Sequence, residues 1–523
     1  MLITDHSYFA MALASYVIPA VAQGQPVPVI GLATGINPIT GERPARKNVN
    51  DLQAAGGPAC RGPGRTDEKT RDLYILGLSE LQNKSESDPL SYFQISGIHG
   101  RPFIPWNGVE NFTVSENDTM GFCPHDSSAS YKAAAKSFRI PYWDWAADYR
   151  LPASVIDQRI TTKREPDENG RNQYDVINNA LASAALQDQV TPANEKKYRV
   201  FTSAKDYETM ASTQDKGASF EGPHDNVHMD IGAIMYQTDY SAFDPIFWLH
   251  HANVDRLFAL WQAVYYNNTY QTQSRTMDGG LYATPPGNVT GDSPLKPFYR
   301  GDDPTSFHTG KTAAAITTFG YTYPRSTTGR SRARRRASRS SHSNGTNGLV
   351  SAQQRGGGAS AAHRRARRGQ QATKKKEYYA QISVERSELQ LPCTLSVMLG
   401  DDKAGQMSLL SMPTSGITHA EVPLTRAVGR ALASDTAAKN NNVLASDAAF
   451  VAARLGQLFR MEIRKADGTV IPIESVPSLS VQVEGEDVVV ASHIEEFPKY
   501  GAVTRLPGVG LGKLARRDAA TRL

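Results

Sequence analysis

Cysteine is nearly absent: Cys60, Cys123 and Cys393 are the only three in 523 residues. So few, and an odd number, cannot build a disulfide framework, and the fold must rest on apolar cores. Long hydrophobic runs are missing too, since nothing reaches the roughly 18 apolar residues that mark a membrane-spanning helix. Acidic residues vanish from one stretch, because residues 324–376 hold 15 Lys and Arg and no Asp or Glu. The net charge of +5 therefore belongs to that stretch, and the rest of the chain sums to −10. Such a segment buries too little apolar surface to offset its ordering entropy and reads as a basic disordered linker, solvated or cut by proteases. No aromatic residue interrupts it, so nucleic acid is not expected as a partner.

Residues 1–26 form a separate N-terminal segment. Phe9 to Val21 is apolar and ends in Ala20-Val21-Ala22, which resembles a signal-peptide cleavage site, yet Asp5 precedes it without Lys or Arg. Cytoplasmic and secreted locations both stay open. Six glycosylation sequons, at Asn83, Asn111, Asn117, Asn267, Asn288 and Asn344, would matter only in a secreted chain.

The two flanks of the basic segment follow different periods. From 27 to 323 the chain is rich in aromatics, Pro and Gly, with helices expected at Asp67–Leu81 and Val254–Trp261. In the second, Val254, Leu257, Phe258 and Trp261 take the spacing of one buried helix face. From 377 to 506 apolar residues alternate, as in Leu395, Val397 and Leu399 or Leu479, Val481 and Val483, and Asp467-Gly468 marks a hairpin. An all-β, sandwich-like domain is expected there, followed by a tail over 507–523.

Twelve histidines are spread along the chain. His224 and His228 lie four residues apart and would share one face of a helix, able to hold one metal ion. The zinc-protease motif is excluded because Asp225 stands where it needs Glu. Downstream runs Asp244-Pro245-Ile246-Phe247-Trp248-Leu249-His250-His251-Ala252-Asn253-Val254-Asp255-Arg256. This segment resembles the second copper signature of tyrosinases, catechol oxidases and molluscan hemocyanins. Ile98-His99-Gly100-Arg101-Pro102 and Cys123-Pro124-His125 are similar to the first-copper region of the fungal tyrosinases. Pro141-Tyr142-Trp143-Asp144-Trp145 and Tyr321-Thr322-Tyr323 look like two further motifs of that family.

The resemblance implies a mainly α catalytic domain over 27–323, a four-helix-bundle dicopper core with long loops. It implies two copper ions: His99 and His125 at the first, His224, His228 and His251 at the second, with His250 a neighbour. By the same likeness Cys123 is joined to His125 through a thioether, and the β-rich region shields the site until proteolysis. The implied partners are small phenols and dioxygen, with monophenols and o-diphenols oxidised to o-quinones in melanin-type pigment chemistry. Glu221 resembles the carboxylate that holds a proton-accepting water in some tyrosinases, and Asp225 stands where its usual partner is Asn. Asp255, four residues after His251, reads either as a carboxylate supporting that histidine or as a charge paired with Arg256 or another base.

One feature of the family is missing. No histidine lies between His125 and His224, so the third ligand of the first copper and the helix that carries it are absent. Three explanations stand: omitted coding sequence, a natural variant that has lost activity, or a replacement ligand such as His6 or His308. The alternatives to a full tyrosinase are accordingly a catechol oxidase, a dioxygen-binding protein and a copper-deficient scaffold.

Overall fold

The computed structural model describes residues 27–54, 66–101, 105–109, 137–149, 151–152, 199–277, 284–324, 374–434, 448–491 and 496–511. The helical region contains α1 Val49–Ala54, α2 Thr66–Gln82, α3 Tyr92–Gly97, α4 Tyr207–Ala211, α5 Glu221–Ile231 and α6 Pro245–Val264. It also holds two short ribbons that periodicity did not reveal, β1 Arg275–Met277 with β2 Gly287–Val289 and β3 Pro294–Tyr299 with β4 Phe307–Thr309.

The helix expected at Asp67–Leu81 is α2, and the one at Val254–Trp261 is the second half of α6. Asp244 caps α6 by accepting from the Ile246 amide at 3.0 Å, and Pro245 takes the first turn, where no amide proton is needed. The single buried stripe expected of this helix proves too modest. Every residue from Ile246 to Phe258 is buried, so α6 is wrapped on all sides. The surrounding core is aromatic: Trp106, Trp143, Trp145, Tyr149 and Tyr321 are almost fully buried, as is Trp261 of α6 itself. The expected four-helix bundle rests partly on residues 110–136 and 153–198, outside the described residues.

The sheet-rich region carries two four-stranded antiparallel sheets. One has the order β10-β9-β6-β7, from Val470–Ile471, Phe459–Lys465, Cys393–Leu399 and Asp402–Leu409. The other has the order β12-β11-β5-β8, from Lys499–Leu511, Ser480–Val489, Lys374–Glu385 and Ile417–Pro423. Both feed one apolar cluster, with Ile382, Val384, Val481 and Val483 from one sheet and Leu395, Val397 and Ile463 from the other. The hairpin at Asp467-Gly468 joins β9 to β10, with Gly468 at φ 90° and the Asp467 side chain accepting from the Thr469 amide at 2.9 Å.

The region is not all β. Helices α7 Thr425–Ser434 and α8 Ala448–Leu458 pack on the sheets through Val428 and Leu432, and Val451 and Leu455, each pair four residues apart. Their alanine-rich segments carry a helical period that the alternation around them obscured. The edges also move. Strand β5 begins at Lys374, so Lys374, Lys375 and Lys376 pair with Val489, Val488 and Asp487 rather than closing the linker. Strand β12 runs past 506 to Leu511. The basic stretch 325–373 lies outside the described residues.

Candidate metal centre

Helices α5 and α6 meet through their histidines. His228, His250 and His251 are 2%, 0% and 5% exposed, and His224 sits at the edge of the group. His224 and His251 bring their Nε2 atoms to 3.0 Å, and His228 and His224 theirs to 3.1 Å.

The other nitrogen of each ring is fixed by an oxygen. Nδ1 of His228 meets the Met235 carbonyl at 2.6 Å, that of His251 the Phe247 carbonyl at 2.8 Å, and that of His224 the Asp225 carboxylate at 2.9 Å. An Nδ1 proton given to oxygen leaves the Nε2 lone pair turned inward, the arrangement a metal ligand needs. Burial holds the basicity of His228 and His251 well below the ordinary histidine range, reinforced by the neighbouring imidazoles, so both rings are neutral donors. Converging imidazole nitrogens suit copper or zinc.

Backbone shape makes these bonds possible. Gly232 ends α5 at φ 76°, a conformation costly for other residues, and the 3-10 turn Ala233–Tyr236 then returns Met235 to His228. A second turn brings Thr238 to His99, whose Nδ1 meets the Thr238 carbonyl at 2.7 Å. His99 packs edge-on against Phe247, and burial pushes its pKa down to about 4. Gly100 permits that approach: a Cβ there would lie 2.5 Å from the Asp239 Cα. His99 thus has the same Nδ1 arrangement as the three converging histidines.

Other expectations fare differently. His125 and Cys123 lie outside the described residues, as does His6. His308 is no replacement ligand, because its Nε2 meets the Val29 carbonyl at 2.7 Å and its Nδ1 the Thr312 hydroxyl at 3.2 Å. Asp255 does not support His251. It is 4% exposed and accepts from Arg46 at 3.2 Å, from the Tyr321 hydroxyl at 2.8 Å and from Tyr323. The charge paired with another base was the correct alternative, though it is buried, and Arg256 pairs instead with Asp144 at 3.2 Å. Glu221 accepts from the amide and hydroxyl of Thr213, at 2.6 and 3.1 Å. Burial raises the Asp225 carboxyl to about 6, with the His224 contact opposing the shift.

The sheet-rich region lies over α5. Gln406 donates to Asp230 at 3.0 Å, the Ser411 and Thr238 hydroxyls are 2.7 Å apart, and the His419 amide donates to the Thr213 carbonyl at 2.6 Å. The same threonines hold His99 and Glu221, so the seam touches the residues that orient the centre. Arg199 crosses to all four strands of one sheet: Glu421 of β8, Glu486 of β11 at 2.8 Å, and the rings of Tyr379 in β5 and Tyr500 in β12 at 4.4 and 4.7 Å.

The class this defines is a helical protein with a buried group of four histidines able to hold a metal ion, joined to a sheet-rich region that packs beside it. Residues 159–264 match the common central domain of tyrosinase, a span that includes His224, His228, His250 and His251 and leaves out His99 and His125. The chain is 27% identical over 343 residues to polyphenol oxidase 2 of Agaricus bisporus, covering 49% of this chain and 59% of that protein. It is 27% identical over 373 residues to the tyrosinase of Neurospora crassa, covering 54% and 52%. The chain therefore spans little more than half the length of these relatives. Recombinant mushroom tyrosinase shares the fold, with a TM-score of 0.62 at 21% identity over 92% of this chain and 99% of the other. Aspergillus oryzae holo-protyrosinase does so with a TM-score of 0.55 at 18% identity, over 92% and 98%. Residues 159–264 thus match a tyrosinase domain model, and the chain as a whole is similar to fungal tyrosinases and polyphenol oxidases.

Proposed function

We propose that this chain is a copper oxidoreductase of the tyrosinase kind, acting on small phenols with dioxygen, whose second copper site is complete and whose first is one ligand short. The observation that carries the reading is the convergence of three Nε2 atoms within 3.0–3.1 Å steps, each on a ring whose Nδ1 faces an oxygen. An ion about 2.0–2.1 Å from each of three tetrahedrally placed nitrogens would hold them about 3.3 Å apart, close to what is found. The likeness to tyrosinases supports copper as that ion.

A copper pair, when bound, supplies the dioxygen chemistry that hydroxylates phenols and oxidises o-diphenols to o-quinones. The chain's own part is to orient its imidazoles. Met235, Phe247 and Asp225 fix the rings of the second site, and Thr238 fixes His99 as a ligand of the first, with His125 its companion. Glu221 is occupied by Thr213, so it can hold a water for the phenol proton only through its remaining oxygen. That restriction favours o-diphenol oxidation over monophenol hydroxylation. The division we adopt is a copper domain over 27–323 and a covering domain over 374–511, joined by the basic stretch between them. Cleavage in that stretch, followed by breaking of the Arg199 contacts, exposes α5.

The test is copper content and catechol oxidation of His251→Ala beside the parent, each with the linker cut. Near-complete loss of copper at the second site is expected. Unchanged copper content would remove the assignment.

A further inference from the structure

Two threonines of the helical region meet the sheet-rich region and also hold side chains of the centre. The Ser411 and Thr238 hydroxyls lie 2.7 Å apart, and the Thr238 carbonyl meets Nδ1 of His99 at 2.7 Å. The His419 amide donates to the Thr213 carbonyl at 2.6 Å, while the Thr213 amide and hydroxyl donate to Glu221. Ser411 lies in the loop 410–416, and His419 lies just beyond it in β8, so the placement of that loop decides both contacts.

The loop is closed by Arg386, which directly follows β5 and is 4% exposed. Its Nε donates to the Pro413 carbonyl at 2.5 Å, and its Nη2 to the carbonyls of Leu410 and Met412 at 2.6 and 3.0 Å. Its amide donates to the Gly416 carbonyl at 3.0 Å, and the Gly416 amide donates to the Glu385 carboxylate at 2.6 Å. A guanidinium presents its donors in a rigid planar fork, so carbonyls gathered on it cannot move independently. Burial lowers the basicity of Arg386 and the carboxylates of Asp225 and Glu221 oppose that shift, so its charge is felt by two acids of α5. The contact at Thr238 is narrow. A cavity of about 220 Å³ opens beside it, lined by residues 236–240, Pro392 and Ser411, so the hydrogen bond rather than close packing carries this joint.

We propose that Arg386 is a positioning residue, holding Ser411 and His419 against Thr238 and Thr213 and so passing the placement of the sheet-rich region on to His99 and Glu221. The region then does more than lie over the centre. Docked, it steadies the carbonyl that orients His99, and undocked, it lets that carbonyl go. The inference rests on the proposed function only for the meaning of His99 as a ligand, because the coupling belongs to the metal-free chain.

The experiment uses the full metal-free chain with isotope-labelled histidine and reads the hydrogen-bonded Nδ1 protons by NMR, assigned with His99→Gln, His228→Gln and His251→Gln. Arg386→Lys keeps the charge and loses the fork, and Ser411→Ala removes the contact to Thr238. In both, the His99 signal should shift, while those of His228 and His251, held by Met235 and Phe247, stay in place. Amide exchange at His419 should quicken about tenfold in Arg386→Lys, as a locally opened contact requires. Thr238→Val, which removes the hydroxyl and keeps the carbonyl, replaces Arg386→Lys if that variant loses the parent circular dichroism, and should move the same signal. An unchanged His99 signal in either folded variant would overturn the proposal, and so would equal movement of all three signals, the result expected of general loosening. Copper retention by His251→Ala would remove the proposed function and leave this coupling standing, since none of these readings uses a metal.

Discussion

The two cores of this chain solve opposite problems. The sheet-rich cluster is built from aliphatic side chains such as Ile382, Val397, Leu455 and Val483, and needs nothing but packing. The helical cluster encloses His228, His250, His251, Asp225, Asp244, Asp255 and Arg46 within a wall of tryptophan and tyrosine. Buried polar and ionisable groups of that kind must be hydrogen-bonded, paired or metal-bound. Where the sheet-rich region does bury acids, at Glu421 and Glu486, it does so against Arg199 of the other region.

The largest break in this contrast should come from the ligands. His228→Ala should lose metal as fully as His251→Ala, read by elemental analysis, while sheet-region unfolding stays in place. Next is Arg199→Leu, which strips the partner from two buried carboxylates. Removing one side of a buried pair costs about 3–5 kcal/mol, and Arg199→Lys should recover little, since lysine cannot reproduce the fork or the ring stacking. The readout is gel filtration after linker cleavage, in which the Leu variant separates into two fragments and the parent stays whole. Tyr321→Phe removes one hydrogen bond to the Asp255 carboxylate and should lower stability by about 1.5–3 kcal/mol in denaturant unfolding.

The smallest effect separates the regions by pH. Burial raises Asp244 to about 7 from an ordinary 3.8, against the opposing Ile246 amide contact. The folded state therefore holds this proton more tightly than the unfolded state does. Its stabilising contribution is full below about pH 4 and is lost as pH rises through 7. Asp244→Asn keeps a capping side chain and should flatten that part of the helical region's stability profile between pH 4 and 8. An unchanged slope would show that another group sets it.

The centre was legible where its residues are close in sequence. The four-residue spacing of His224 and His228 and the run ending at His251 picked out three histidines that the fold brings together, and the hairpin at Asp467-Gly468 was equally local. What escaped was set by distant partners. Asp255 finds Arg46 and Tyr321, Glu221 is claimed by Thr213, and Arg199 reaches strands that begin at Lys374, none of which a local period encodes. Helices α7 and α8 were missed for another reason, since their alanine-rich turns sit among alternating strands.

How many ions the chain holds is read directly by equilibrium dialysis of the chain against Cu(II), with copper measured per chain. One tightly held copper per chain, abolished in His228→Ala and His251→Ala and retained when His99 is replaced, is the predicted result. Two coppers held with equal strength would contradict it, because another residue would then complete the first site.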